Sequence, residues 1–182
     1  MMSHLSPSIV CYSGTFKETA ALLNVLGCKR AHIDVTAGYS IHGLFRYELF
    51  DLEDRLHFNM PVDLHIFDFR RDWNYHSLPL REGDCLILHM FPWVEPDELV
   101  KALNCNLPEG VGRGFSLDTE TPLSRAYSLL PTLDCFTIMG IEIGGRGIPL
   151  NERALENLIQ VRKITQTSNP SLRLCIDGGV NV

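Results

Sequence analysis

Short apolar runs and amphipathic stretches alternate along the whole chain. Ser8 to Ser13, Ala31 to Val35, Pro61 to Phe67, Asp84 to Met90, Gly112 to Leu117, Leu133 to Ile143 and Leu172 to Ile176 read as strands. Their cores are continuous, as in Cys85-Leu-Ile-Leu88 and Cys135-Phe-Thr-Ile-Met139, which predicts burial on both faces. Between the strands, apolar residues recur at helical spacing. Phe16 to Leu26 places Ala20, Leu23 and Leu26 on one side, with Gly27 as a C-terminal stop. Leu44 to Leu56 does the same with Phe45, Leu49, Leu52 and Leu56. Pro96 to Leu103 is a short helix with its proline in the first turn. Thr121-Pro122 is a cap-then-proline start for a helix to Leu130, and Asn151 caps a helix through Leu155, Leu158, Ile159 and Ile164. Arg70 to Gly83 is polar and broken by Pro79, so any helix there is short.

About seven strands with helices between them predict a parallel sheet with helical crossovers. The polar residues that interrupt the pattern fall at the C-terminal ends of strands, where a (β/α) barrel builds its active site. The expected fold is therefore α/β, a (β/α)8 TIM barrel. An open doubly wound sheet would also alternate, but no glycine-rich turn follows the first strand. Neither an internal repeat nor a linker divides the chain, so residues 1–182 are expected to form a single barrel domain.

Composition narrows the partners. With 182 residues, 45% of them hydrophobic and 21% charged, the chain can bury one sizeable core. The formal charge of −6 and the lack of a Lys/Arg block argue against nucleic acid. No apolar stretch is long enough to span a bilayer. The N-terminal Met-Met-Ser-His has no charged-then-apolar signal pattern. A cytoplasmic protein is expected. The cysteines are Cys11, Cys28, Cys85, Cys105, Cys135 and Cys175, with no C-x-x-C pair. They read as reduced, structural thiols rather than a zinc-thiolate site.

The candidate chemistry lies in His32, Asp34, His65 and Asp177, each at the end of a strand-like run. A period-two strand sends His32 and Asp34 to the same face. Two imidazoles and two carboxylates suit one divalent ion, whether Zn²⁺, Fe²⁺, Mn²⁺ or Co²⁺. The two carboxylates are also the acid–base pair needed for chemistry next to a carbonyl. Taken singly, His65 could be a core histidine and Asp177 a turn former before Gly-Gly. All four in this order point to a metal centre. His89 also ends a strand, and either faces the pocket or is packed.

These segments resemble a family. The ordered series is Ser6-Pro-Ser-Ile9, His32-Ile-Asp34-Val, Pro61-Val-Asp-Leu-His65, Ile87-Leu-His89, Asp118-Thr-Glu-Thr-Pro122, Met139-Gly-Ile-Glu142 with the glycines behind it, and Ile176-Asp177-Gly-Gly-Val. It is similar to the ribulose-phosphate 3-epimerases and their relatives acting on allulose 6-phosphate, from Ser6 to Val180. The family is a (β/α)8 barrel with a divalent metal that inverts a sugar carbon next to a ketone. The resemblance makes Asp34 and Asp177 the two proton-transfer groups and, with His32 and His65, the metal ligands. It places Ser8 near the bound sugar, Met139 at the reaction centre, Gly144, Gly145 and Gly147 in a phosphate loop, and Gly178 and Gly179 beside the substrate. The implied partner is a ketose phosphate.

The chain departs from the family pattern in three ways. The family's His-x-Asp-x-Met-Asp-Gly reads here His32-Ile-Asp34-Val-Thr36-Ala37-Gly38, and the methionine expected after His65 is Phe67. The phosphate loop reads Ile143-Gly-Gly-Arg146-Gly147 instead of Pro-Gly-Phe-Gly-Gly. The sequence stops at Asn181-Val182, whereas a complete barrel runs to about 250 residues with eight units. The expectation is a barrel lacking its last β/α unit, a shortened product whose exposed edges favour a homo-oligomer. Two other readings compete with an active epimerase. One is an inactive or repurposed binding paralogue; the other is a phosphate-binding lyase or decarboxylase using a lysine, which none of these strand ends offers.

Overall fold

A computed structural model of the chain describes residues 6–8, 15–35, 52–67, 78–104, 107–145 and 147–180. Within them lie six strands, β1 (Ala31–Val35), β2 (Val62–Ile66), β3 (Cys85–Met90), β4 (Gly112–Leu117), β5 (Cys135–Met139) and β6 (Arg173–Asp177). The helices are α1 (Phe16–Val25), α2 (Leu52–Leu56), α3 (Pro96–Leu103) and α4 (Glu152–Ser168). The strands form one sheet in sequence order, β1-β2-β3-β4-β5-β6. Every pairing in it is parallel. Ser8 adds a parallel bridge to His32 on the outer side of β1. The rest of the expected first strand, 9–13, falls outside the described residues, as does most of the expected helix before Leu52.

The sheet is curled into part of a barrel. Strands spaced about 4.8 Å apart would put β1 and β6 roughly 24 Å from one another in a flat sheet. Instead His32 Nε2 on β1 lies 3.6 Å from Asp177 Oδ2 on β6. At the opposite end, Arg173 on β6 reaches across to Asp63 on β2 with two bonds of 2.6 Å. Period-two alternation then separates two surfaces. Ile33, Leu64, Leu88, Phe115 and Ile138 face outward into the main core. There they meet Ala20 and Leu23 of α1, Leu99 of α3 and Val161 of α4. Cys85, Ile87 and Cys135 form a separate cluster inside the curl, with Cys175 against it.

Local chemistry explains where the helices begin. Thr15 caps α1 in a reciprocal box with Glu18. Gly27, at φ 67°, lets the chain leave the helix. Pro96 opens α3, and the Asn151 side chain accepts from Arg153 N–H at the head of α4. The polar stretch expected to hold at most a short helix shows none over 78–83; residues 70–77 are outside the described set.

Two expectations are corrected. The helix predicted from Thr121 to Leu130 is a pair of 3₁₀ turns, Leu123–Ala126 and Leu130–Thr132. Pro131 bars an α-helical bond and restricts Leu130 before it. Thr121 is no cap: its N–H binds Asp118 Oδ1 and its hydroxyl donates to Met90 O. The strand predicted from Leu133 to Ile143 covers only Cys135–Met139. Asp134 turns its carboxylate to Arg113 N–H, and Gly140 bends away into a turn. No helix of the described residues is long and apolar enough to cross a membrane.

Candidate active site and metal centre

Four side chains from three strands converge at the C-terminal end of the curl. Parallel pairing sets Asp34 opposite His65 in the β1–β2 register, and His32 lies one pleat earlier on the same face. Asp177 arrives as the last residue of β6. One donor atom from each of the four lies within 4.8 Å of the others. Asp34 Oδ1 is 3.1 Å from both His32 Nε2 and His65 Nδ1. The two ring nitrogens are 3.3 Å apart. Asp177 Oδ2 stands 3.6 Å from His32 Nε2 and 3.9 Å from His65 Nδ1.

The spacing suits a small divalent ion. Zinc bonds of about 2.0–2.1 Å in tetrahedral geometry put ligand atoms roughly 3.3–3.4 Å apart. The observed separations bracket that length, and the donor set is the nitrogen–oxygen mixture that zinc, iron, manganese and cobalt share. The cluster could therefore hold one divalent metal through His32, Asp34, His65 and Asp177.

Electrostatics separate the two carboxyls. Burial would raise Asp34, but the charge and hydrogen bond of His32, with help from His65, hold it well below the usual carboxylate range. Asp177 moves the other way: burial and the neighbouring Asp34 charge raise it despite the two histidines. Burial would lower His32; its charge pairing and hydrogen bond with Asp34, and the fields of Asp177 and Asp63, raise it to about 10. The two carboxyls are thus shifted in opposite directions.

Adjacent groups complete the setting. Ser8 donates its hydroxyl to Asp34 Oδ2 at 2.9 Å. The Asp34 oxygens therefore divide their tasks, Oδ1 in the cluster and Oδ2 toward Ser8. Phe67, where the family pattern has methionine, packs its ring 4.0 Å from that of His65 and is almost fully buried. Met139 ends β5 opposite Asp177 in the register. Thr36 and Ala37, the other departures at this centre, lie outside the described residues.

The glycines have steric work to do. A Cβ on Gly178 (φ 83°) would lie 2.5 Å from Ile141 Cγ1, and one on Gly140 would lie 2.3 Å from Gly178 O. Gly140 N–H also donates to Asp177 O at 2.6 Å. The close crossing of 140 and 177–178 thus carries Asp177 into the cluster, a role the sequence reading did not give Gly140. Gly179 sits against Leu150 in the same crossing. Gly144, Gly145 and Gly147 form the loop behind it, closed by Gly145 N–H to Glu142 O. Arg146 lies outside the described residues.

Cys28, Cys85, Cys135 and Cys175 are free thiols. Cys135 and Cys175 approach to 3.7 Å. Their mutual contact and burial push the Cys175 thiol far up and keep it protonated. Cys11 and Cys105 are outside the described residues.

A curled parallel sheet with a His/Asp cluster at its strand ends that could hold a metal is an α/β barrel-like arrangement. Comparison with known proteins makes the class specific. The model of the ribulose-phosphate 3 epimerase family matches residues 4–182, and the chain belongs to that family. A curated relative named ribulose-phosphate 3-epimerase, from Treponema pallidum (strain Nichols), is 23% identical over 180 residues. That match covers 97% of this chain and 80% of the relative. The family and the relative's name place the chain among epimerases, within the isomerases.

Proposed function

We propose that the chain inverts C3 of a ketose phosphate by proton transfer between two carboxyl groups flanking a divalent metal. The substrate in this reading is ribulose 5-phosphate, giving xylulose 5-phosphate, or allulose 6-phosphate. The observation that carries it is the convergence of Asp34 and Asp177 with His32 and His65, one donor atom from each within 4.8 Å of the others, in a chain of this family. Epimerisation removes a proton from one face of a carbon and returns one to the other. Asp34, held toward its ionised form, would accept the first proton, and Asp177, whose carboxyl is shifted the other way, would supply the second. In the reverse direction the roles exchange.

His32, Asp34, His65 and Asp177 would hold the metal. When bound, it supplies positive charge beside the carbon–oxygen framework on which negative charge grows as the proton leaves. Ser8 orients the carboxylate of Asp34 through its Oδ2 bond. Phe67 and Met139, both nearly buried, exclude water from the histidine side and the β5 side of the cluster. The Gly144–Gly147 loop is read as the phosphate contact, and Gly178 and Gly179 as substrate neighbours. Residence in the cytoplasm and self-association belong to the same reading. The latter is supported by the exposed apolar side chains Leu22, Val25, Leu26 and Leu56.

The test is metal content and epimerase turnover on one metal-reconstituted sample, with ribulose 5-phosphate and allulose 6-phosphate as substrates. Bound metal with turnover of either sugar is expected. Bound metal with no turnover of either would favour a repurposed binding paralogue, which the altered Phe67 and phosphate loop make a concrete second reading.

A further inference from the structure

Among the described residues, His89 is the one histidine of the barrel interior that the cluster does not use. It is the penultimate residue of β3 and is fully buried. Its Nδ1 lies 3.2 Å from Nε2 of His65. Its own Nε2 is buried without a hydrogen-bond partner among the described residues. Two rings hold it in place: Phe67, with centroids 5.0 Å away, and Phe91, 4.5 Å away. An apolar side chain could fill this site without stranding a polar atom, so packing alone does not account for an imidazole.

The hydrogen bond to His65 accounts for it. His65 turns Nδ1 toward Asp34 and His32, at 3.1 and 3.3 Å. For that nitrogen to offer a lone pair to a cation, the single proton of the neutral ring must sit on Nε2. Nε2–H then donates to His89 Nδ1, and the proton of His89 is placed on its own Nε2. A ligand histidine whose second nitrogen is bonded is fixed in both tautomer and ring orientation.

We propose that His89 is the positioning residue of the metal centre: by accepting the Nε2–H of His65 it fixes the ring that presents Nδ1 to the cluster. The proposal rests on the metal reading above. It extends one strand further, to Ser116. That residue is paired with His89 across the β3–β4 register, and its buried hydroxyl likewise has no partner among the described residues. Two stranded polar groups on adjacent strands are a pair that one buried water can bridge, satisfying the Nε2–H of His89.

The experiment compares wild type, His89→Leu and His89→Asn as full chains. Asn places a carbonyl oxygen near the position of Nδ1 and keeps the acceptor; Leu removes it. Co²⁺ affinity is measured by competition with a chelator, alongside the visible spectrum of bound Co²⁺ and the thermal unfolding of the metal-free chains. His89→Leu is expected to bind Co²⁺ about 10–100-fold more weakly, with an altered spectrum. His89→Asn is expected to stay close to wild type in both, whatever either change does to thermal unfolding. Equal affinity and spectrum for His89→Leu and wild type would overturn the positioning role and leave the metal reading standing. Failure of wild type to bind Co²⁺ would overturn both. Should His89→Leu not fold, ¹⁵N spectra of metal-loaded wild type decide: protons on Nε2 of both histidines are expected, and a proton on Nδ1 of His89 overturns the proposal.

Discussion

The interior of the curled sheet contains two polar layers built on opposite principles. At the N-terminal end, Asp63 accepts two bonds from Arg173 and one from Arg30, all between 2.6 and 2.8 Å. Both carboxylate oxygens are engaged, and the charges are paired. At the C-terminal end, two carboxyls and two imidazoles crowd within 4.8 Å. There Asp177 is pushed toward its neutral form and His32 toward its charged one. The lower layer is a finished electrostatic network that ties β6 to β2. The upper layer carries competing demands that a cation in place of protons would meet. One layer is paired and the other unbalanced, although β2 and β6 supply residues to both.

The strongest way to break this division is at the carboxyls. Asp34→Asn and Asp177→Asn should each lower turnover by about 10²–10⁴-fold, the usual scale of general acid–base help. Their effects on the metal-free fold should differ in sign. Asp177→Asn removes a carboxyl disfavoured by burial and by Asp34, so it should raise the melting temperature. Asp34→Asn removes the partner of His32 and should lower it. Turnover assays and thermal melts on the same samples check both halves; loss of stability in Asp177→Asn would contradict the description of that layer as unbalanced.

Next in size is the lower layer. Asp63→Asn leaves two guanidinium groups without their counter-ion. Stranding one partner of a buried pair costs about 3–5 kcal/mol, and the lower end applies here because Arg173 is one-third exposed. Urea denaturation measures this directly. The same variant should weaken metal binding, because Arg173 and Asp177 share β6. Unchanged metal affinity would show that β6 is held by its other contacts.

A pH series sharpens the contrast. The folded pKa of His32 is raised from 6.5 to about 10. Its contribution to stability is therefore fully present below pH 6.5 and lost as pH rises through about 10. Metal-free protein should become less stable over that interval. Metal affinity should rise over it, since the ion must displace the His32 proton. Urea midpoints at both ends of the interval, with and without Zn²⁺, would show the two trends diverging; parallel trends would sink the argument.

The smallest effect lies outside both layers. Asn151→Ala removes the cap bond to Arg153 N–H and should cost about 1 kcal/mol. Turnover should barely change, which makes it a control for stability loss without damage to the cluster.

The local patterns of the sequence were sufficient for much of this. Continuous apolar runs located β1, β3 and β4 closely, and Pro96 with the spacing behind it marked α3 to the residue. The convergence of His32, Asp34, His65 and Asp177 was legible because period two puts His32 on the face of Asp34, and Asp34, His65 and Asp177 lie at or next to the C-terminal ends of parallel strands. The failures were also local. At Pro131 the proline overruled helical spacing, and at Gly140 a close backbone crossing ended a strand whose apolar run continued.

What only the tertiary structure decided are pairings between distant parts of the chain. Arg173 meets Asp63 across 110 residues, and Arg55 meets Asp84 across 29, in a buried bidentate pair that fastens α2 beside β2 and β3. Ser8 reaches Asp34, and His89 reaches His65. None of these follows from spacing, because the partner of a polar side chain is set by the sheet's curl and register rather than by its neighbours in sequence. Periodicity determines which face a residue occupies; closure of the sheet determines what it meets there.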